Sequence, residues 1–186
     1  MNAMSIGAAI MLAVVGGAQT LKQVKTDKDA SKPEYRKVDT SNFTIEVPAG
    51  WAVSDETPWG SRDIRPSVES KVVTAASMSS MSGPGLGRQS WDRLYDTSLY
   101  FITRYDRQGK MKATPYALAK SRRGFETCSW DMTDADGKVV QRHVILKHTN
   151  GNILALSVKI PSDASAKERQ QLDRMFAHMV DTAVVK

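Results

Sequence analysis

The sequence predicts an α+β domain in which an antiparallel β-sheet is covered by helices. Two observations carry that expectation. Apolar and polar residues alternate in several short runs, of which Phe43-Thr44-Ile45-Glu46-Val47 and Leu154-Ala155-Leu156-Ser157-Val158 are the clearest. Two longer segments, opening at Ser90 and at Ser165, repeat their apolar residues at helical spacing behind an N-capping serine. The order is strands, one helix, a run of strands joined by tight turns, then a last helix, which is the pattern of an antiparallel sheet with helices laid on it.

The totals fit one domain with an appendage. The chain has 186 residues, of which 41% are hydrophobic and 25% charged, an ordinary globular composition. Cys128 is the single cysteine, which excludes an internal disulfide and any zinc site built on paired thiolates. Residues 1–18 carry no charged side chain and include an apolar run from Ile6 to Val15, followed by the small residues Gly16, Gly17 and Ala18. That is the layout of a signal peptide with its cleavage site, too short to span a membrane with ease. The positive charges Lys22, Lys25, Lys28 and Lys32 lie after the run rather than before it, so an uncleaved anchor and a buried helix stand as alternatives. Export to the periplasm or beyond is the expectation, with a mature form that has no membrane span. Residues 19–35 are polar and read as a linker, the alternative being an ordered arm along the domain. The domain proper is residues 36–186.

Within it, Phe43, Ile45 and Val47 form one face of a strand that Pro48-Ala49-Gly50-Trp51 ends. A polar loop containing Trp59, Arg62, Arg65 and Pro66 follows, then a second alternating run over residues 72–78. Gly83-Pro84-Gly85-Leu86-Gly87 breaks it. Ser90 caps a helix whose inward face is Trp91, Leu94, Tyr95, Ser98, Phe101, Ile102 and Tyr105, and Gly109 ends it. Residues 115–122 form a weak strand. Cys128, Trp130 and Met132 then alternate, Asp134-Ala135-Asp136-Gly137 turns, residues 138–148 return, and Asn150-Gly151 predicts a type I′ hairpin. Leu154, Leu156, Val158 and Ile160 share one face of the next strand. Ser165 and Glu168 form a capping box for the last helix, whose apolar stripe is Leu172, Met175, Phe176, Met179, Val180 and Ala183.

Three of these segments resemble the PsbP-like fold family, which includes photosystem subunits, a Ran-binding nuclear import factor and bacterial DcrB-like envelope proteins. Phe43 to Trp51 resembles the family's opening strand and its P-x-G-W turn, Asn150 to Leu156 its late strand pair, and the capped helix with Phe176 its closing element. The resemblance covers residues 36–186 and implies an α/β/α sandwich. It brings no catalytic residue to this chain and leaves function open across its members.

No catalytic constellation is legible. His143 and His148 fall on opposite faces of one strand, and His178 lies on a helix. Asp131, Asp134 and Asp136 lack both the companion acid and the closing glutamate of a calcium loop. Cys128 reads as a small core residue. The Gly83–Gly87 loop with Arg88 and Ser90 offers backbone N–H groups to an anion, but its spacing matches no phosphate-loop fingerprint. Met78, Met81 and Met132 have no histidine or second cysteine beside them to complete a copper site. No cofactor or metal is expected.

The charge pattern says more. Residues 104–123 hold Arg104, Arg107, Lys110, Lys112, Lys120, Arg122 and Arg123 against Asp106 alone, a net +6 that equals the excess of the entire chain. Such a segment suits an acidic protein or an anionic envelope surface, while helix-dipole complementation and an edge-strand guard account for the same charges without a partner. The aromatics are not interleaved for base stacking, so nucleic acid is not expected. Trp59 with Arg62 and Arg65 forms a second candidate contact, since both residue types anchor interfaces, the alternative being a tryptophan folded back over the sheet edge. The function expected is a non-catalytic envelope binding or accessory module. A small-ligand or lipid carrier, and an enzyme with a site that sequence does not display, are the alternatives.

Overall fold

The computed structural model describes residues 34–55, 61–66, 77–83, 85–104 and 109–186. Its first elements are β1 (Tyr35–Asp39), β2 (Phe43–Pro48), β3 (Trp51–Val53), β4 (Ser61–Pro66) and β5 (Ser77–Gly83). A single 3₁₀ turn, Leu86–Arg88, leads into α1 (Trp91–Thr103). There follow β6 (Lys112–Ala113), β7 (Ala117–Lys120), β8 (Glu126–Thr133), β9 (Val139–Lys147), β10 (Ile153–Lys159), α2 (Ala166–Thr182) and β11 (Val184–Val185).

These strands make two antiparallel sheets. The larger runs β3-β4-β5-β10-β9-β8-β6, with β7 also paired to β8, and the smaller runs β1-β2-β11. The large sheet is apolar on both faces of its central strands, and each face meets a helix. On one face Val144, Leu146, Leu154, Leu156 and Val158 pack with Leu172, Met175, Phe176 and Met179 of α2 and with Phe43, Ile45 and Val47 of β2. On the other, Cys128, Trp130, Met132, Ile145 and Ile153 pack with Leu94 of α1, flanked by Trp91, Tyr95, Leu99 and Ile102. The helices therefore lie on opposite faces of the sheet, which is the layering of an α/β/α sandwich.

Both helices begin as their serines dictate. Ser90 Oγ accepts from Arg93 N, and at α2 Ser165 Oγ accepts from Glu168 N while Glu168 Oε2 accepts from Ser165 N at 2.7 Å. These reciprocal bonds satisfy N–H groups that have no partner inside the first turn. The stripe of α2 is buried as its spacing requires.

Elsewhere the structure corrects the sequence reading. Ser61–Pro66 is a strand and not a loop. It has one apolar anchor, the buried Ile64, and its pairing with β3 and β5 supplies what periodicity lacks. The strand expected at 72–78 is found at Ser77–Gly83, and its first five expected residues lie outside the described ones. The linker's last residue, Tyr35, opens β1. Phe101 is 55% exposed. It stands about 90° round the helix from the centre of the Trp91-Tyr95-Ser98-Ile102 stripe, at 100° per residue, and Leu99, on the opposite flank of that stripe, packs against the core instead. Helix α1 stops at Thr103, before Gly109, and Tyr105 lies outside the described residues.

The Asn150-Gly151 hairpin is also of another type. A type I′ turn needs positive φ at both central residues, yet among the described residues only glycines have positive φ. His148 N donates to Asn152 O at 2.9 Å and Gly151 N to His148 O at 3.0 Å, with Gly151 at φ 90°. This is a three-residue loop closed by a left-handed glycine. The same design recurs at Ser121–Phe125, closed by Gly124, and at Asp134–Lys138, closed by Gly137.

Candidate functional site

Among the described residues, two prominent clefts open on the large sheet. One, of about 530 Å³, lies where the Ser121–Phe125 and His148–Asn152 loops meet the entrance to α1. Its construction begins with glycine. Gly87 N donates to Gly151 O at 2.9 Å, and a Cβ on Gly87 would stand 2.9 Å from that carbonyl group. Only a glycine lets the helix entrance approach the hairpin this closely. Arg88 then runs along Gly151, where an added Cβ would lie 3.4 Å from Arg88 Cγ and Nε.

The other walls bring Lys120 from the end of β7, Arg123 from the turn after it, and Lys147 from the end of β9. Lys147 Nζ donates to Gln89 O at 2.6 Å and lies 3.8 Å above the centre of the Trp91 ring. Burial lowers its pKa, against the opposing pull of Glu126, its cross-strand partner. His148 Nδ1 accepts from Asn150 N at 3.1 Å, so the ring carries its proton on Nε2 as a donor. Phe125 packs beside that ring, with centroids 5.6 Å apart. Among the described residues no carboxylate forms an ion pair with Arg88, Lys120 or Arg123.

The second cleft, of about 550 Å³, lies between α2 and the β8–β9 strands. Arg142 spans its floor. Nη1 donates to Asp131 Oδ2 at 3.2 Å, Nε faces Asp173 Oδ1 at 2.8 Å, and Nη2 donates to Asp173 Oδ2 at 3.5 Å. Burial holds the Asp131 carboxyl above its usual range; Arg142 opposes that shift and Asp173 adds to it. Val144, Phe176, Ala177 and Val180 form the apolar side. Here the guanidinium and two of the carboxylates already hold one another.

The basic stretch of residues 104–123 does not form one patch. Lys112 pairs opposite Thr133 and Lys120 opposite Glu126, so the chain runs the whole length of β8 between them. Seven residue steps along a strand are about 23 Å. Arg104, the C-cap of α1, and the exposed Lys110 precede that run, whereas Arg122 and Arg123 follow it at the turn. Arg107 and Trp59 lie outside the described residues. Arg62 Nη1 donates to Ser54 O at 3.1 Å, and Arg65 pairs with Asp63 at 2.8 Å on the surface. Neither lines either of these two clefts.

Arg88 is legible in the sequence beside its glycines, but Lys147 is not. Its signal was the position immediately before the His148–Asn152 turn, on the same sheet end as Lys120. The remaining candidates take structural roles. Asp134 Oδ1 accepts from Asp136 N at 3.0 Å and Lys138 N at 2.9 Å, so it builds a turn. His143 stacks on Trp130 with ring centroids 5.1 Å apart, and burial lowers its pKa to about 4. His178 bonds Glu46 at 2.8 Å and stacks on Tyr35. Cys128 is buried, its thiol pushed up to about 11 mainly by that burial. Among the described residues no three metal-ligating side chains gather, and no helix is long and apolar enough to cross a membrane.

No protein-family model and no curated protein sequence matches the chain. Solved structures do. The Ran-binding protein Mog1p of Saccharomyces cerevisiae superposes with a TM-score of 0.57 at 14% identity, over 83% of this chain and 96% of that one. Cyanobacterial PsbP from Synechocystis sp. gives 0.57 at 11% identity, over 88% and 99%. A point variant of Mog1 gives 0.54 at 14% identity, over 82% and 96%. Identities this low carry the fold and nothing further, and these superpositions cover nearly the whole of each neighbour: the chain has the PsbP-like fold.

Proposed function

We propose that this chain is a non-catalytic binding module of the cell envelope, exported by residues 1–18, which engages an anionic partner through the cleft lined by Arg88, Lys120, Arg123 and Lys147. The observation that carries the reading is the imbalance of that cleft. Cations from three separate segments converge there, and Glu126 is the one carboxylate among the lining residues. Gathering like charges raises the free energy of the folded chain, and an anion from outside relieves it. One solved structure of this fold is a Ran-binding protein, so a binding role is one to which the fold has been put. The partner is an acidic protein or an anionic envelope surface.

Co-sedimentation of the full chain with phosphatidylglycerol vesicles and with polyglutamate, across a salt series, tests the reading. Binding is expected at low salt to at least one of them, falling as the Debye length shortens to about 8 Å at physiological ionic strength. Lys120→Gln with Arg122→Gln and Arg123→Gln should abolish it. Lys110→Gln with Lys112→Gln, at the far end of β8, should not. Absence of binding to both probes at low salt, or equal loss in both variants, overturns the proposal.

A further inference from the structure

We infer that the cleft between the α1 entrance and the Ser121–Phe125 and His148–Asn152 loops is a binding site for a phosphate monoester group. The inference rests on the anion-engaging reading above and narrows it to one chemistry. Four features of the cleft favour a compact, multiply charged ligand over a diffuse acidic surface.

The first is shape. The cations surround a concavity of about 530 Å³ rather than forming a flat patch, and ligand pockets usually enclose roughly 300–1,000 Å³. The second is charge. Arg88, Lys120, Arg123 and Lys147 face Glu126 alone, a formal +3. A carboxylate brings one charge and two acceptor oxygens. A phosphate monoester brings roughly −1.5 to −2 and three strong acceptors, and so engages several of these donors at once.

The third is preorganisation. Arg88 is laid along Gly151, and Lys147 is fixed by Gln89 O and the Trp91 face. Side chains already held lose less entropy on binding than free ones. An acidic polymer sliding over the surface would meet the exposed Arg88, Arg122 and Arg123 first and gain little from the half-buried Lys147. The fourth is the wall. Phe125 and His148 pack together at the cleft, offering an apolar side for whatever the phosphate is attached to, and His148 Nε2–H adds a neutral donor. The second cleft has no comparable claim, because Arg142, Asp131 and Asp173 are already paired.

Isotope-labelled full chain is titrated by NMR with inorganic phosphate, and with acetate at equal ionic strength. Phosphate should shift the amides of residues 87–89, 121–125 and 147–151 saturably, with one-to-one stoichiometry, while acetate should not. A parallel arm uses vesicles containing phosphatidic acid, whose headgroup is a monoester, against phosphatidylglycerol, a diester. Binding to phosphatidic acid alone, without a response to free phosphate, identifies the lipid headgroup as the source. Arg88→Gln with Arg123→Gln should weaken whichever binding is seen by tenfold or more, since each charge-assisted bond is worth about a factor of ten. Lys110→Gln with Lys112→Gln should leave it unchanged, and unaltered melting of both variants verifies the fold. Identical responses to phosphate and acetate without selective binding to phosphatidic acid, or a response indifferent to Arg88 and Arg123, overturn the phosphate site. If polyglutamate or phosphatidylglycerol still binds in that case, the broader anion reading survives; if nothing binds, both fall.

Discussion

The two clefts are nearly equal in volume, at about 530 and 550 Å³, and both are lined by ionic side chains. They differ in where those charges find their partners. Beneath α2, Arg142 holds Asp131 and Asp173, so the charges tie a helix to a sheet. At the α1 entrance, Arg88, Lys120 and Arg123 have no such pairing among the described residues, and the charges face outward. Charges that are paired within the protein contribute to its architecture. Charges gathered without pairing cost it stability and acquire a use only when a ligand arrives.

The largest effect should come from the architectural cleft. Phe176 forms part of its wall and is 8% exposed. Phe176→Ala removes that wall and should cost about 3–5 kcal/mol in denaturant unfolding. A loss below about 0.5 kcal/mol would mean that α2 is not held as described.

Acid provides the next test. The ordinary histidine pKa is 6.5, and that of His143 is lowered to about 4. Between those values the unfolded chain binds the proton and the folded chain does not, so stability falls as pH drops through that window. The loss is of order 3 kcal/mol, and His143→Gln should remove it from urea titrations run between pH 7 and pH 4. Asp131 acts in the opposite sense. Its carboxyl is raised above 3.8 in the fold, so the folded chain holds that proton more tightly. The stability it contributes is present below pH 3.8 and lost as pH rises through the raised value. Asp131→Asn should flatten that part of the curve, whereas a steeper curve would show that Arg142 outweighs burial.

The smallest effect separates the clefts most directly. Lys120→Gln with Arg123→Gln should raise the melting temperature slightly at low salt and leave it unchanged at high salt, because mutual repulsion is relieved. Arg142→Gln should lower it at both. A drop for the first pair at low salt would show that those cations are paired after all.

How much of this was legible in the sequence follows from the range of the forces involved. Strands whose side chains alternate between core and partner, such as Phe43–Val47 and Leu154–Val158, announce themselves. So do helices whose caps and stripes lie within a few residues, as Ser165, Glu168 and Leu172 do. Ser61–Pro66 and Val184–Val185 do not, because the first has a single buried apolar anchor and the second is two residues long. Both are strands through their neighbours. The basic stretch was visible as composition, but composition is blind to direction, and the run along β8 separates Lys112 from Lys120. The candidate cleft draws on positions 88, 120, 123 and 147, which only the hairpins bring together.

The small sheet has a consequence for the order in which the molecule assembles. β2 is flanked by β1 and by β11, and the second pairing joins Phe43 to Val185 and Thr44 to Val184, across nearly the whole domain. β8, β9 and β10, by contrast, are linked through three-residue loops. Closing a long loop is entropically costlier than closing a short one, and local pairings form faster. The meander is therefore expected to acquire hydrogen-exchange protection first, with the amides of β2 protected last, as pulse labelling during refolding would reveal. Until β11 docks, the edge of β2 at Phe43 and Thr44 stays open and waits on the arrival of a pair of valines.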